Sequence, residues 1–134
     1  AHAEVIFHRT RELAEIGVFE TRVEMRQYLA DFAAAFHDVR GDDRAFAAIH
    51  DPDRYDASQA LARRLLGTGS NGILYRSVRR AGGECVACFR PALVAHVRPA
   101  AHFEYRWEGG PMPAIRRLEL DLPAPWPGPR ARPA

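Results

Sequence analysis

An α+β domain built on a mixed β-sheet with few helices is the fold class this sequence predicts, and three observations carry it. Apolar and polar residues roughly alternate from Val18 to Phe32, the pattern of half-buried strands. Tyr55 to Leu66 sets Ala57, Ala60, Leu61, Arg64 and Leu65 at helical spacing before Gly67-Thr68-Gly69 ends the run. Short apolar runs punctuated by glycine come next, and the order strands, helix, strands argues against a repeating parallel crossover fold.

Taken in order, the alanine-rich residues 1–8 suit the last turns of a helix, and Arg9 to Ile16 continue as a polar connection or short helix. The chain opens without methionine and inside an element, which reads as a cut. Val18 to Phe32 makes one or two strands, and Ala33 to Arg40 a short one entering through Phe36 and Val39. Gly41-Asp42-Asp43 is turn chemistry. Asp51-Pro52-Asp53 signals a helix start, with an acidic cap and proline in the first turn. Past the helix, Ile73-Leu74-Tyr75 forms a strand, Arg80 to Gly83 turns, and Cys85 to Phe89 returns as a central strand. Leu93 to Val97 and His102 to Trp107 add two more. Seven of the ten prolines fall from Pro111 onward. The domain is therefore bounded at residues 1–110, with 111–134 an irregular tail holding one strand at Ile115 to Leu120.

With 134 residues, 47% hydrophobic and 27% charged, the chain can build one core and not two. No window has the roughly 18–20 uninterrupted apolar residues of a membrane span, and no basic-then-apolar leader opens the chain, so a cytoplasmic protein is expected. A formal net charge of +2 is too small for a surface that tracks nucleic-acid phosphates. Cys85 and Cys88 have the spacing of a redox or zinc pair. On a strand, however, positions three apart face opposite sides, and neither a helix N-terminus nor a second ligand pair accompanies them. His8, His37, His50, His96 and His102 are dispersed, so no metal cluster is expected.

The segment Gly72 to Arg79 is where chemistry concentrates. Ser77 follows a strand, with Arg76 and Arg79 beside it and glycines on both sides, and backbone there can approach an anionic ligand such as pyrophosphate. The same residues also fit a plain turn, with Ser77 reversing the chain and solvated arginines around it. Tyr75 and Trp107 read as core aromatics before stacking platforms, and His102 as packed beside Trp107.

Gly72, Ile73-Leu74, Tyr75, Arg76, Ser77, Val78, Arg79 resembles the serine block of RES-domain proteins, NAD-degrading enzymes named for an arginine, a glutamate and a serine far apart in sequence. Gly82-Gly83, Phe89, Pro91 and His102 to Gly109 resemble the C-terminal half of that family, so the likeness covers roughly residues 1–109. Ser77 matches the family serine. Ala1-His2-Ala3-Glu4-Val5 resembles the segment of the family glutamate, which makes Glu4 its counterpart. The family arginine and its tyrosines lie upstream of that glutamate, where this chain has no residues to match, and without them the resemblance implies poor dinucleotide binding.

The resemblance further implies a fold similar to ADP-ribosyltransferase toxins and cleavage of the nicotinamide–ribose bond of NAD. Glu4 and Ser77 would be the catalytic residues, converging on one dinucleotide-sized cleft, and Arg79 would pair with pyrophosphate. NAD would be a substrate, and no cofactor or metal is implied. The expected partners are NAD, phosphate as an acceptor, and an Xre-type antitoxin of a bacterial toxin–antitoxin pair, with no direct nucleic-acid or membrane contact; homo-oligomerisation stays open. Two alternatives stand beside it: an ADP-ribosyltransferase that modifies a macromolecule, and an inactive truncated RES remnant that only binds a partner.

Overall fold

A computed structural model of the chain describes residues 1–119, and two three-stranded sheets organise it. The first sheet is antiparallel, in the order β1 (Glu20–Phe32), β5 (Val94–Glu108), β6 (Ala114–Leu118). The second is mixed: β2 (His37–Asp38) runs parallel to β3 (Gly72–Arg76), which pairs antiparallel with β4 (Glu84–Cys88). Three helices complete the α+β arrangement: α1 (His2–Ile16), α2 (Arg44–Ala47) and α3 (Asp56–Gly67). Among the described residues no helix is long and apolar enough to cross a membrane.

The first sheet has one apolar face and one charged face, as strand alternation requires. Thr21, Val23 and Met25 on β1 sit opposite Trp107, Tyr105 and Phe103 on β5. Tyr105 and Trp107 are the most deeply buried side chains of the core, at 2% and 1% exposure. On the other face Arg22, Glu24 and Arg26 oppose Arg106, Glu104 and His102. Glu24 directly opposite Glu104 is a repulsive pair. It is offset by Arg116, 3.3 Å from the buried Glu104 carboxylate, and by Arg106 at 3.7 Å, while His102 Nε2 lies 3.7 Å from Glu24.

Helix α1 spans both segments expected at the N-terminus as one 15-residue helix. It ends in a Schellman-type cap: Gly17 takes the left-handed conformation at φ 70°, and Val18 N–H donates to the Leu13 carbonyl. The helix crosses the aromatic row of β5. His2 Nδ1 shares a 2.6 Å hydrogen bond with the Tyr105 hydroxyl, and two turns on Trp107 Nε1–H donates to Thr10 Oγ1.

Several elements depart from their sequence-based outlines. The two strands expected from Leu93 to Trp107 are one strand, β5, with register shifts against β1 between Arg26 and Tyr28 and between Leu29 and Asp31. Pro99 is tolerated within it because only β1 flanks that half, so no second partner needs the missing N–H. The strand of Cys85 lies at an edge of the second sheet, and β3 is its centre. Asp43 lies in more than a turn: it caps α2 by accepting from Ala45 N–H. Asp51 does not cap α3. Its carboxylate accepts from Asp53 and Arg54 N–H in a turn before the helix, whose N-cap is Tyr55. The strand expected within the proline-rich tail is β6, which pairs with β5; residues 120–134 of that tail lie outside the described residues.

Two predictions follow from local geometry. Gly72 has φ 144°, and a Cβ there would sit 2.0 Å from the Ala87 carbonyl oxygen on β4. Gly72→Ala should cost about 2–4 kcal/mol in urea unfolding, through overlap with backbone that cannot yield and a strained dihedral. Hydrogen bonds from the Arg40 side chain, then its backbone N–H, hold the exposed Asp38 carboxyl down at about 2. Its contribution to folding is therefore present above the ordinary carboxyl range and lost as pH falls toward 2. A carboxyl carbon titration by NMR should show that low midpoint, and Arg40→Gln should return it toward the ordinary value.

Candidate functional site

Glu4, Ser77 and Arg79 come from two structural units, and an arginine joins them. Glu4 lies in the first turn of α1, a favourable place for a carboxylate at a helix N-terminus, and its Oε2 is 3.6 Å from His8 Nε2 one turn on. Ser77 opens the turn between β3 and β4. Its N–H donates to the Gly83 carbonyl, Gly83 N–H donates back to the Arg80 carbonyl, and Ser77 Oγ accepts from Arg79 and Arg80 N–H at 3.3 and 3.2 Å. The hydroxyl oxygen thus stitches the turn, while its own proton stays free to donate outward.

The tightness of this turn accounts for its glycines. A Cβ at Gly83 would be 3.1 Å from Ser77 Cβ, and Gly82 has φ 68°. The plain-turn and anion-site readings of the sequence are therefore compatible: the residues that close the turn also leave one hydroxyl proton available.

Arg79 reaches back from the turn to both neighbouring layers. Its guanidinium carbon lies 3.4 Å above the Phe7 ring of α1, while Nη2 donates to the Pro52 carbonyl and, at 3.2 Å, to the Tyr55 hydroxyl. Nε and Nη1 make no hydrogen bond to the described residues. Phe7 follows Glu4 by three positions, so the stack sets the turn of Ser77 against the helix of Glu4.

Tyr75, read from the sequence as a core aromatic, is a partly buried neighbour of this turn. Burial pushes its phenol above the ordinary value; Cys85, opposite it on β4, and the charge of Glu4 push it the same way. Both cysteines are free, and Cys88 Sγ donates to the Arg90 carbonyl.

Two cavities lie near the turn, one lined by Arg79 and the other by Val78. An apolar groove of about 520 Å³ runs along α1, lined by Ile6, Phe7, Thr10, Arg79, Pro111 and Met112 among others. A more enclosed cleft of about 270 Å³ lies between α3 and the second sheet, with Ile49, Tyr55, Gln59, Ile73, Tyr75 and Val78 in its wall. Neither is lined by Glu4 or Ser77 themselves, so the two residues flank these spaces through their neighbours Phe7, Tyr75, Val78 and Arg79 and do not face each other across one.

The action of Glu4 on Tyr75 is directly measurable. Glu4→Gln removes a negative charge that disfavours the phenolate, so Tyr75 should titrate at lower pH in this variant than in wild type, read by ultraviolet difference absorbance against Tyr75→Phe as the blank.

No curated protein and no solved structure matches the chain. The RES domain matches residues 1–108, which takes in α1 with Glu4, the turn with Ser77 and Arg79, and β5 to its last residue. The chain belongs to the RES domain family.

Proposed function

We propose that this protein cleaves the bond between nicotinamide and ribose in NAD, with water or phosphate as acceptor. Membership of the RES domain family, whose fold is ADP-ribosyltransferase-like, is consistent with an NAD-related activity. The observation that carries the residue assignment is the Arg79–Phe7 stack, which ties the turn bearing Ser77 to the helix bearing Glu4.

The chemistry asks for few groups. As the N-glycosidic bond breaks, its electron pair leaves with the nicotinamide nitrogen, and positive charge develops on the ribose in an oxocarbenium-like transition state. A carboxylate held nearby stabilises that charge and takes the proton of the attacking water or phosphate. Glu4 holds this role. Ser77 offers the one hydroxyl proton its turn leaves unused, as a donor to a ribose or phosphate oxygen. Nε and Nη1 of Arg79, which make no hydrogen bond to the described residues, suit recognition of a pyrophosphate. In a cell this activity would be that of a toxin restrained by an Xre-type antitoxin.

One observation favours a second reading, an RES remnant that binds a partner without catalysis. Ser77 Oγ and Arg79 Nη2 both satisfy backbone groups of this chain, as purely structural residues do.

Incubation with NAD and phosphate, following free nicotinamide, separates the two. The enzyme reading expects release, lowered about 10²-fold or more by Glu4→Gln, a change that keeps the side chain's shape and removes its charge. It also expects a lower rate for Ser77→Ala. No release from wild type, with Ser77→Ala indistinguishable from it, rejects the reading. NAD labelled in its adenosine half distinguishes acceptors, since label on protein or nucleic acid would mean transfer to a macromolecule.

A further inference from the structure

His50 holds the turn of the candidate site from behind. It ends the short 3-10 helix Ala48–His50, and both ring nitrogens are engaged by backbone. Nδ1 lies 3.1 Å from the Phe46 carbonyl, which can only accept, so the proton is on Nδ1. Nε2 lies 3.3 Å from the backbone nitrogen of Arg76, which can only donate, so Nε2 carries a lone pair. The structure therefore requires the neutral imidazole in one tautomer. Arg76 is the last residue of β3 and directly precedes Ser77.

We propose that His50 is a positioning residue for the Ser77 turn and makes the site sensitive to acid: protonation of Nε2 sets N–H against N–H and releases the backbone at Arg76. This rests on the proposed role of Ser77 as a substrate-binding group. An imidazole is the side chain whose charge ordinarily changes between about pH 5 and 8, which is the range the test covers. The sign is fixed by the geometry. The neutral ring makes the bond, so the turn is held at higher pH and freed as pH falls.

The charged groups around His50 are otherwise occupied. Asp51, next in its own segment, accepts from Asp53 and Arg54 N–H. On β3, the Arg76 guanidinium pairs with Asp42, and Arg79 beyond the turn lies on Pro52, Tyr55 and Phe7. None of these forms an ion pair with His50. The other histidine near the site, His8, lies 3.6 Å from the Glu4 carboxylate, so the decisive readout is taken at the Arg76 amide and not from a pH profile alone.

The test separates them with His50→Gln in the full chain, because a glutamine amide oxygen can reach the position of Nε2, accept the Arg76 N–H and never titrate. Backbone amide NMR from pH 8 to 5 should show the Arg76 resonance moving with the His50 ring in wild type and standing still in His50→Gln. Nicotinamide release should fall roughly tenfold more across that range in wild type than in His50→Gln. An Arg76 amide that ignores the ring titration, or a glutamine variant with the wild-type acid response in that amide, overturns the proposal. If wild type releases no nicotinamide at any pH, the reading of the site as an NAD-cleaving one fails, while the amide titration still decides the role of His50.

Discussion

Helix α1 buries no residue completely, yet it carries Glu4 and Phe7, so its seat on the first sheet is the constraint on which the candidate site depends. That seat is made by two hydrogen bonds to aromatic side chains of β5 that are themselves almost wholly buried. The Tyr105 hydroxyl meets His2, and the Trp107 indole N–H meets Thr10, whose own hydroxyl passes the contact on to the Pro111 carbonyl. A helix placed by apolar packing alone could slide by a fraction of a turn. One pinned at two points two turns apart has its rotation and register fixed, and Phe7 is then held where Arg79 can cover it.

The first sheet and the β3–β4 turn both touch this helix and bring different chemistry. The first supplies rigidity through a long antiparallel pair and an aromatic face. Its outer face is charged, with the Glu104 carboxylate held by two arginines in surroundings where a lone charge would be costly. The second sheet supplies the turn that carries Ser77. It is small, and Gly72 lets β3 approach the Ala87 carbonyl more closely than any side chain would allow. Arg40 then clips β4 to the segment after β2 by bonding both Asp38 and Glu84.

Much of the fold was legible because local pattern and final environment agree. Alternation through Thr21, Val23 and Met25 gave β1, and apolar spacing gave α3 to within one residue at each end. The misreadings have physical causes. Helix α2 is one turn long, too short for periodicity, and only the cap at Asp43 betrays it. Strand β5 reads as two, Leu93 to Val97 and His102 to Trp107, and nothing local says that the stretch between them, with Pro99, continues against β1 with its other flank empty. Within the site, the Ser77 turn was legible from its glycines. The Arg79–Phe7 stack and the action of Glu4 on Tyr75 were not, since each joins residues about seventy positions apart with no shared pattern.

The pairing of β1 with β5 reaches from Glu20 opposite Glu108 to Phe32 opposite Val94, so everything from residue 33 to 93 is an excursion between two partners. Closing so long a loop costs entropy before any rung of the ladder rewards it. The β3–β4 hairpin, by contrast, zips across a turn of a few residues and can assemble early. The order of assembly that topology favours is thus the reverse of the order of apparent solidity: the hairpin with the Ser77 turn first, and the broad sheet last.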